Sequence, residues 1–193
     1  MEQVEFLKTV VGILESLDIC YMIVGSFVSS RFGEARFTND VDIVIDVNEQ
    51  QLMALCNAFP ADAFYLSRPA ALEALRLRRQ FNVIHPSSAN KVDFMIARLD
   101  PWGRMQLARR ARRQIVPECL AYTASPEDVI LAKMIFFREG GSDKHIRDTA
   151  GMLQVSGHEI DRAYISEWAE RLGLESIWKT VLAKVDERTL QNE

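Results

Sequence analysis

The run Asp40-Val41-Asp42-Ile43-Val44-Ile45-Asp46-Val47 constrains this chain more than any other stretch. Successive side chains of a β-strand point to opposite faces. Val41, Ile43, Ile45 and Val47 therefore share one face, and Asp40, Asp42 and Asp46 share the other. The β-branched face must be buried against other elements. The opposite face carries aspartates, a residue type that strands ordinarily avoid.

Lys91-Val92-Asp93-Phe94-Met95-Ile96 repeats the pattern, with Val92, Phe94 and Ile96 on one face and Asp93 on the other. If the two strands are neighbours, Asp93 faces Asp40 and Asp42. Carboxylates two residues apart on a strand have Cα atoms roughly 6–7 Å apart. Hard oxygen donors suit Mg2+ (or Mn2+), which keeps several of its waters. In two-metal sites the ions lie about 3.5–4 Å apart, and paired carboxylates match that spacing. Asp40, Asp42 and Asp93 are thus the candidate metal ligands and catalytic acids, with Asp93 placed to activate an attacking hydroxyl. Asp46 lies further along the strand and reads as solvent-facing.

Val4, Leu7, Val11, Leu14 and Leu17 mark an amphipathic helix over 3–17, and Cys20–Val24 a buried strand. Gly25-Ser26 follows, then a short helix to Phe32 and a loop over 33–39. Glycine lets backbone amides approach a phosphate, and a helix N-terminus offers free N–H groups. Gly25 and Ser26 are therefore candidate phosphate-binding residues. Asn48 caps a helix to about Ala58, and Pro69 opens one over 69–79. Strands are expected at 80–85 and 91–97, a helix from Pro101, and extended chain over 114–123. From Ser125 onward the pattern is helical, with segments near 144–154, 161–172 and 175–188.

The expected class is α+β: a mixed β-sheet flanked by helices over residues 1–123, then a helical subdomain over 124–193. A chain of 193 residues can bury such a core without staples. Cys20, Cys56 and Cys119 lack the spacing of a zinc site and read as reduced thiols. The first residues carry neither a basic nor an apolar leader pattern, and no apolar run suits a membrane span. The expectation is a cytoplasmic protein. His85, His145 and His158 are scattered and read as ordinary residues.

Ile23-Val24-Gly25-Ser26, thirteen residues, then Asp40-Val41-Asp42-Ile43, with Asp93 as a third acid, resembles the nucleotidyltransferase superfamily. Pro126-Glu127-Asp128-Val129-Ile130-Leu131-Ala132-Lys133, followed by Arg147-Asp148, resembles the bacterial AbiEii-type members, which include toxins of toxin–antitoxin pairs. The resemblance implies a nucleotidyltransferase-like fold and transfer of a nucleoside monophosphate from an NTP. It implies that Lys133 contacts the triphosphate and Asp148 orients it, and it raises a cognate antitoxin as a partner. A catalytically inactive nucleotide- or RNA-binding module of the same fold is the alternative.

The net charge of −4 argues against broad nucleic-acid binding, but arginines cluster locally. Arg76, Arg78 and Arg79 form one group. Arg109, Arg110 and Arg113 fall on one side of an expected helix and form a second. Planar guanidinium forks suit phosphates, so an RNA acceptor is one partner these groups would hold; a solvated face with local salt bridges is the other reading.

Overall fold

The computed structural model describes residues 1–34 and 40–191, so the loop expected over 33–39 falls outside them from residue 35 onward. In chain order the elements are α1 (Gln3–Ser16), β1 (Cys20–Val24), α2 (Gly25–Phe32), β2 (Asp40–Asp46), α3 (Glu49–Ala58), β3 (Tyr65–Leu66), α4 (Arg68–Leu77) and β4 (Gln80–His85). Next come β5 (Asn90–Ile96), α5 (Pro101–Arg109), β6 (Ala111–Val116), β7 (Cys119–Thr123), α6 (Pro126–Gly140), α7 (Asp143–Ser156), α8 (Arg162–Leu172) and α9 (Glu175–Gln191). Among the described residues no helix is long and apolar enough to cross a membrane.

The chain divides into two units, Met1–Phe27 with Phe37–Ala124, and Val28–Arg36 with Ser125–Glu193. The first holds a seven-stranded sheet, among the described residues, in the order β3-β4-β5-β2-β1-β7-β6. β2 runs antiparallel to β1 and parallel to β5, which makes the sheet mixed. Tyr21, Met22 and Ile23 of β1 are all buried, as befits a strand between two neighbours. β2 alternates as its sequence demands, with Val41, Ile43 and Ile45 fully buried. On β5, Phe94 packs between Phe81 and Phe59, with ring centroids 5.4 and 6.4 Å away. That packing turns the apolar face of β5 inward and leaves Lys91 and Asp93 on the other. Phe6, Leu7 and Leu14 of α1 and Leu52 and Leu55 of α3 complete the buried core. Asn48 and Gln51 form a reciprocal cap that fixes where α3 starts, directly after β2.

Two expectations about the arginines change. α4 stops at Leu77, and Arg78 takes a left-handed conformation with φ of 52°, so Arg78 and Arg79 lie beyond the helix. α5 ends at Arg109, and Arg113 stands on strand β6, so Arg109, Arg110 and Arg113 do not share a helix face. The reason is tertiary. Residues 111–116 pair with β7 as a hairpin, the Arg110 guanidinium lies 4.8 Å over the Tyr122 ring, and Arg113 donates to the Thr123 hydroxyl at 2.8 Å. Ladder bonds and a cation–π contact outweigh local helix preference there.

In the second unit, α6 begins with an N-cap, Ser125, and a proline at its first turn. The acids that follow are anchors. Asp128 is 1% exposed and accepts hydrogen bonds from the Ser125 hydroxyl at 2.8 Å and the Tyr164 hydroxyl at 3.0 Å. Glu127 accepts from the Asp161 backbone N–H at 3.1 Å, just before α8. Both acids sit at the positive end of a helix dipole, which favours their charge. Trp168 and Trp178 are buried in the same unit.

Replacing Asp128 with Ala removes the acceptor of one buried hydroxyl, Ser125, and one half-buried hydroxyl, Tyr164. The expected loss is about 2–4 kcal/mol of unfolding free energy in urea titration. Asp128→Asn, which keeps an acceptor, is expected to lose less. A loss below about 0.5 kcal/mol for the alanine variant would contradict the anchoring role.

Candidate active site

The carboxylate cluster is built by strand register. β2 and β5 are parallel neighbours in which Asp40 pairs with Lys91 and Asp42 with Asp93. Directly paired residues on adjacent strands point to the same side, about 4.8 Å apart in the hydrogen-bonding direction. Asp40, Asp42 and Asp93 therefore occupy one face of two adjoining strands. Asp46, at the far end of β2, is exposed on the same face, pairs with Cys20 of β1 and stands outside the group.

Gly25 brings the start of α2 onto this cluster. It follows Val24, the register partner of Asp42, and its backbone has φ of +67°. A Cβ added at Gly25 would lie 2.0 Å from Asp42 Oδ2 and 2.8 Å from its Cγ. Any side chain at position 25 would displace the Asp42 carboxylate. Glycine thus serves two ends, the left-handed turn and the close approach of backbone to acid. Ser26 follows in the first turn of α2, the end of a helix whose dipole favours anions.

Lys91 enters the cluster without having been singled out from the sequence. Its Nζ lies 2.9 Å from Asp93 Oδ2 and 3.5 Å from Asp40 Oδ2. The hydrogen bond to Asp93 raises the lysine pKa, opposed by partial burial and helped by the charges of Asp93 and Asp40. Among the described residues no group of three or more His, Cys, Asp or Glu side chains is disposed to hold a metal ion. Magnesium seldom relies on protein ligands alone; it takes one or two carboxylates, waters and substrate phosphate oxygens. One or two carboxylates of the face shared by Asp40, Asp42 and Asp93 suit that preference.

The other sequence-predicted residues lie in the second unit. Lys133 is 5% exposed, and its ammonium donates to Asp148 Oδ2 at 2.7 Å. Asp148 also lines a cavity of ≈ 290 Å³ together with Ser29, Ser30, Lys144, Arg147 and Arg188. Arg188 donates to Glu34 and to Gln154, each at 3.2 Å. Three cations and two hydroxyls share the lining with the carboxylates of Glu34 and Asp148. Burial and the nearby Lys133 ammonium lower the pKa of His145, and its neighbour Asp148 opposes them. The histidines do not gather: His85 bonds the Ser88 hydroxyl at 2.8 Å, and His158 is exposed beside Glu159. Cys20, Cys56 and Cys119 are free thiols.

No family model matches the chain, and no curated protein matches it. Solved structures do. A crystal structure of ANT(2'')-Ia in complex with adenylyl-2''-tobramycin aligns with a TM-score of 0.60 at 13% identity, covering 88% of this chain and 98% of that one. The solution structure of the antibiotic-resistance factor ANT(2'')-Ia aligns at 0.55 and 12% identity over 98% and 97% of the two chains. An antigenic nucleotidyltransferase-like protein from Paracoccidioides brasiliensis aligns at 0.53 and 20% identity, over 79% and 76%. The fold is nucleotidyltransferase-like: a mixed sheet flanked by helices, with a helical C-terminal part, the α+β class expected from the sequence.

Gly25→Ala is expected to lower stability by about 1–3 kcal/mol, through the left-handed turn and the clash with Asp42. Gly12, exposed inside α1 with nothing near its would-be Cβ, is the control. Gly12→Ala is expected to stabilise by about 0.5–1 kcal/mol. Urea melts of the two variants check the pair, and a neutral Gly25→Ala would contradict the close approach described.

Proposed function

We propose that this chain is a Mg2+-dependent nucleotidyltransferase that moves a nucleoside monophosphate from an NTP to an acceptor hydroxyl and releases pyrophosphate. The observation that carries the reading is the register of β2 on β5, which sets Asp42 beside Asp93 with Asp40 on the same face. Bound there, Mg2+ (or Mn2+) would supply charge neutralisation at the α-phosphate and the leaving oxygens. Asp40 and Asp42 would hold the metal. Asp93 would be a third ligand and take the proton of the acceptor hydroxyl as it bonds to the α-phosphorus, while the bond to pyrophosphate breaks. Gly25 and Ser26 present backbone amides and a hydroxyl to phosphate oxygens. Positioning and charge stabilisation provide the rate enhancement.

Lys133 and Asp148 are assigned to the triphosphate by the resemblance. The three cations lining the cavity at Asp148, against two carboxylates, support an anion-binding role for this part of the chain. Three acids on one face favour an active enzyme over an inactive binding module.

For the acceptor, a small-molecule hydroxyl has the better support. One fold neighbour was crystallised with adenylyl-2''-tobramycin. The arginines proposed for an RNA acceptor are partly engaged within their own unit: Arg110 donates to the Leu107 carbonyl at 2.6 Å, Arg113 to Thr123, and Arg78 to the Ala97 carbonyl at 3.1 Å. A toxin role with a cognate antitoxin rests on the likeness around α6, where Glu127 and Asp128 serve as anchors of the helical unit.

The test incubates the protein with each α-labelled NTP, Mg2+ and a cell extract. Label is expected to pass to a product with the native chain. Asp42→Asn and Asp93→Asn are expected to lower the rate by about 100-fold or more. No transfer from any NTP, or full activity in both variants, would contradict the reading.

A further inference from the structure

Lys91 places a positive charge beside two of the three acids. It faces Asp40 across the parallel ladder, and its Nζ reaches Oδ2 of both Asp40 and Asp93. The side chains of Asp93 and Lys91 are 14% and 29% exposed, so this ion pair is partly withdrawn from water. Three carboxylates on adjoining strands repel one another, and like charges facing each other across a sheet are destabilising. An ammonium between the first and third acids offsets that repulsion.

The same position has a consequence for metal binding. A divalent cation needs lone pairs on the carboxylates, and Lys91 bonds an oxygen on two of them. The ammonium and the cation repel each other at such range. The lysine head sits on a flexible four-carbon stem with part of its surface open to solvent, so it has room to leave.

We propose that Lys91 is the resident counter-ion of the carboxylate cluster, and that a divalent cation binds there by displacing it. The inference rests on the metal-site reading of Asp40, Asp42 and Asp93. Lys91 then makes two opposed contributions. It stabilises the metal-free protein, and it weakens the cluster's grip on the cation. Metal affinity is accordingly set by a competition inside the protein as well as by the three acids.

The test measures Mn2+ binding, by paramagnetic resonance of the free ion and by calorimetry, on the full chain without nucleotide. Native protein, Lys91→Met, Lys91→Arg and Asp42→Asn are compared. Met keeps most of the stem and removes the charge; Arg keeps the charge. Lys91→Met is expected to bind Mn2+ on the order of tenfold more tightly than the native chain. Its metal-free melting temperature is expected to fall, and saturating Mn2+ to close the gap. Lys91→Arg is expected to follow the native chain, and Asp42→Asn to bind more weakly. Equal or weaker binding by Lys91→Met, with Asp42→Asn still impaired, would overturn the counter-ion role and leave the metal site standing. Absence of Mn2+ binding in both the native chain and Lys91→Met would overturn both.

Discussion

The parallel pairing of β2 with β5 is the constraint on which the candidate site depends. Side chains alternate with a period of two, so a slip of one residue would send Asp93 to the apolar face and Phe94 to the polar one. Phe94 prevents that slip. It is fully buried between Phe81 and Phe59, and the aromatic packing behind the sheet fixes which residues stand in front. The core therefore sets the positions of charges it does not touch. Val41, Ile43 and Ile45 do the same for Asp40 and Asp42 on β2.

Gathering carboxylates opposes folding, and among the described residues two local features offset it. One is the Lys91 ammonium, within reach of both Asp40 and Asp93. The other is the start of α2, brought so close to Asp42 by Gly25 that no Cβ fits between them. Free amides at a helix start favour a nearby carboxylate as they favour a phosphate. Features that stabilise the acids without ligand are thus also features a phosphate-bearing substrate would meet. In the helical unit, charge is handled differently. Glu127 and Asp128 are buried and accept from backbone and hydroxyl donors, whereas Asp148 pairs with Lys133 at a cavity wall.

Much of this was legible in the sequence where a single element decides it. The alternation of β2, the glycine after β1, the caps at Asn48 and Ser125 and the helical end of the chain all follow from local pattern. That β2 and β5 adjoin is a tertiary fact, which local pattern allows but does not dictate. Arg113 illustrates the limit. Its neighbours read as a continuing helix, and pairing with β7 together with the Tyr122 ring decides otherwise. Lys91 was visible only as one residue of a strand, because its meaning comes from the acid opposite it, fifty-one positions earlier in the chain. Arg188 and Glu34 meet across a separation of 154 residues, which no periodicity reveals.

Asp40, Asp42 and Asp93 are proposed to form one metal-binding face. Crystals grown with Mn2+ and a non-hydrolysable NTP test this through the anomalous signal of manganese. The expected result is a manganese peak about 2.0–2.3 Å from carboxylate oxygens of Asp42 and at least one of Asp40 and Asp93, with triphosphate oxygens completing the coordination. Manganese and nucleotide bound elsewhere, with these three carboxylates unliganded, would contradict it.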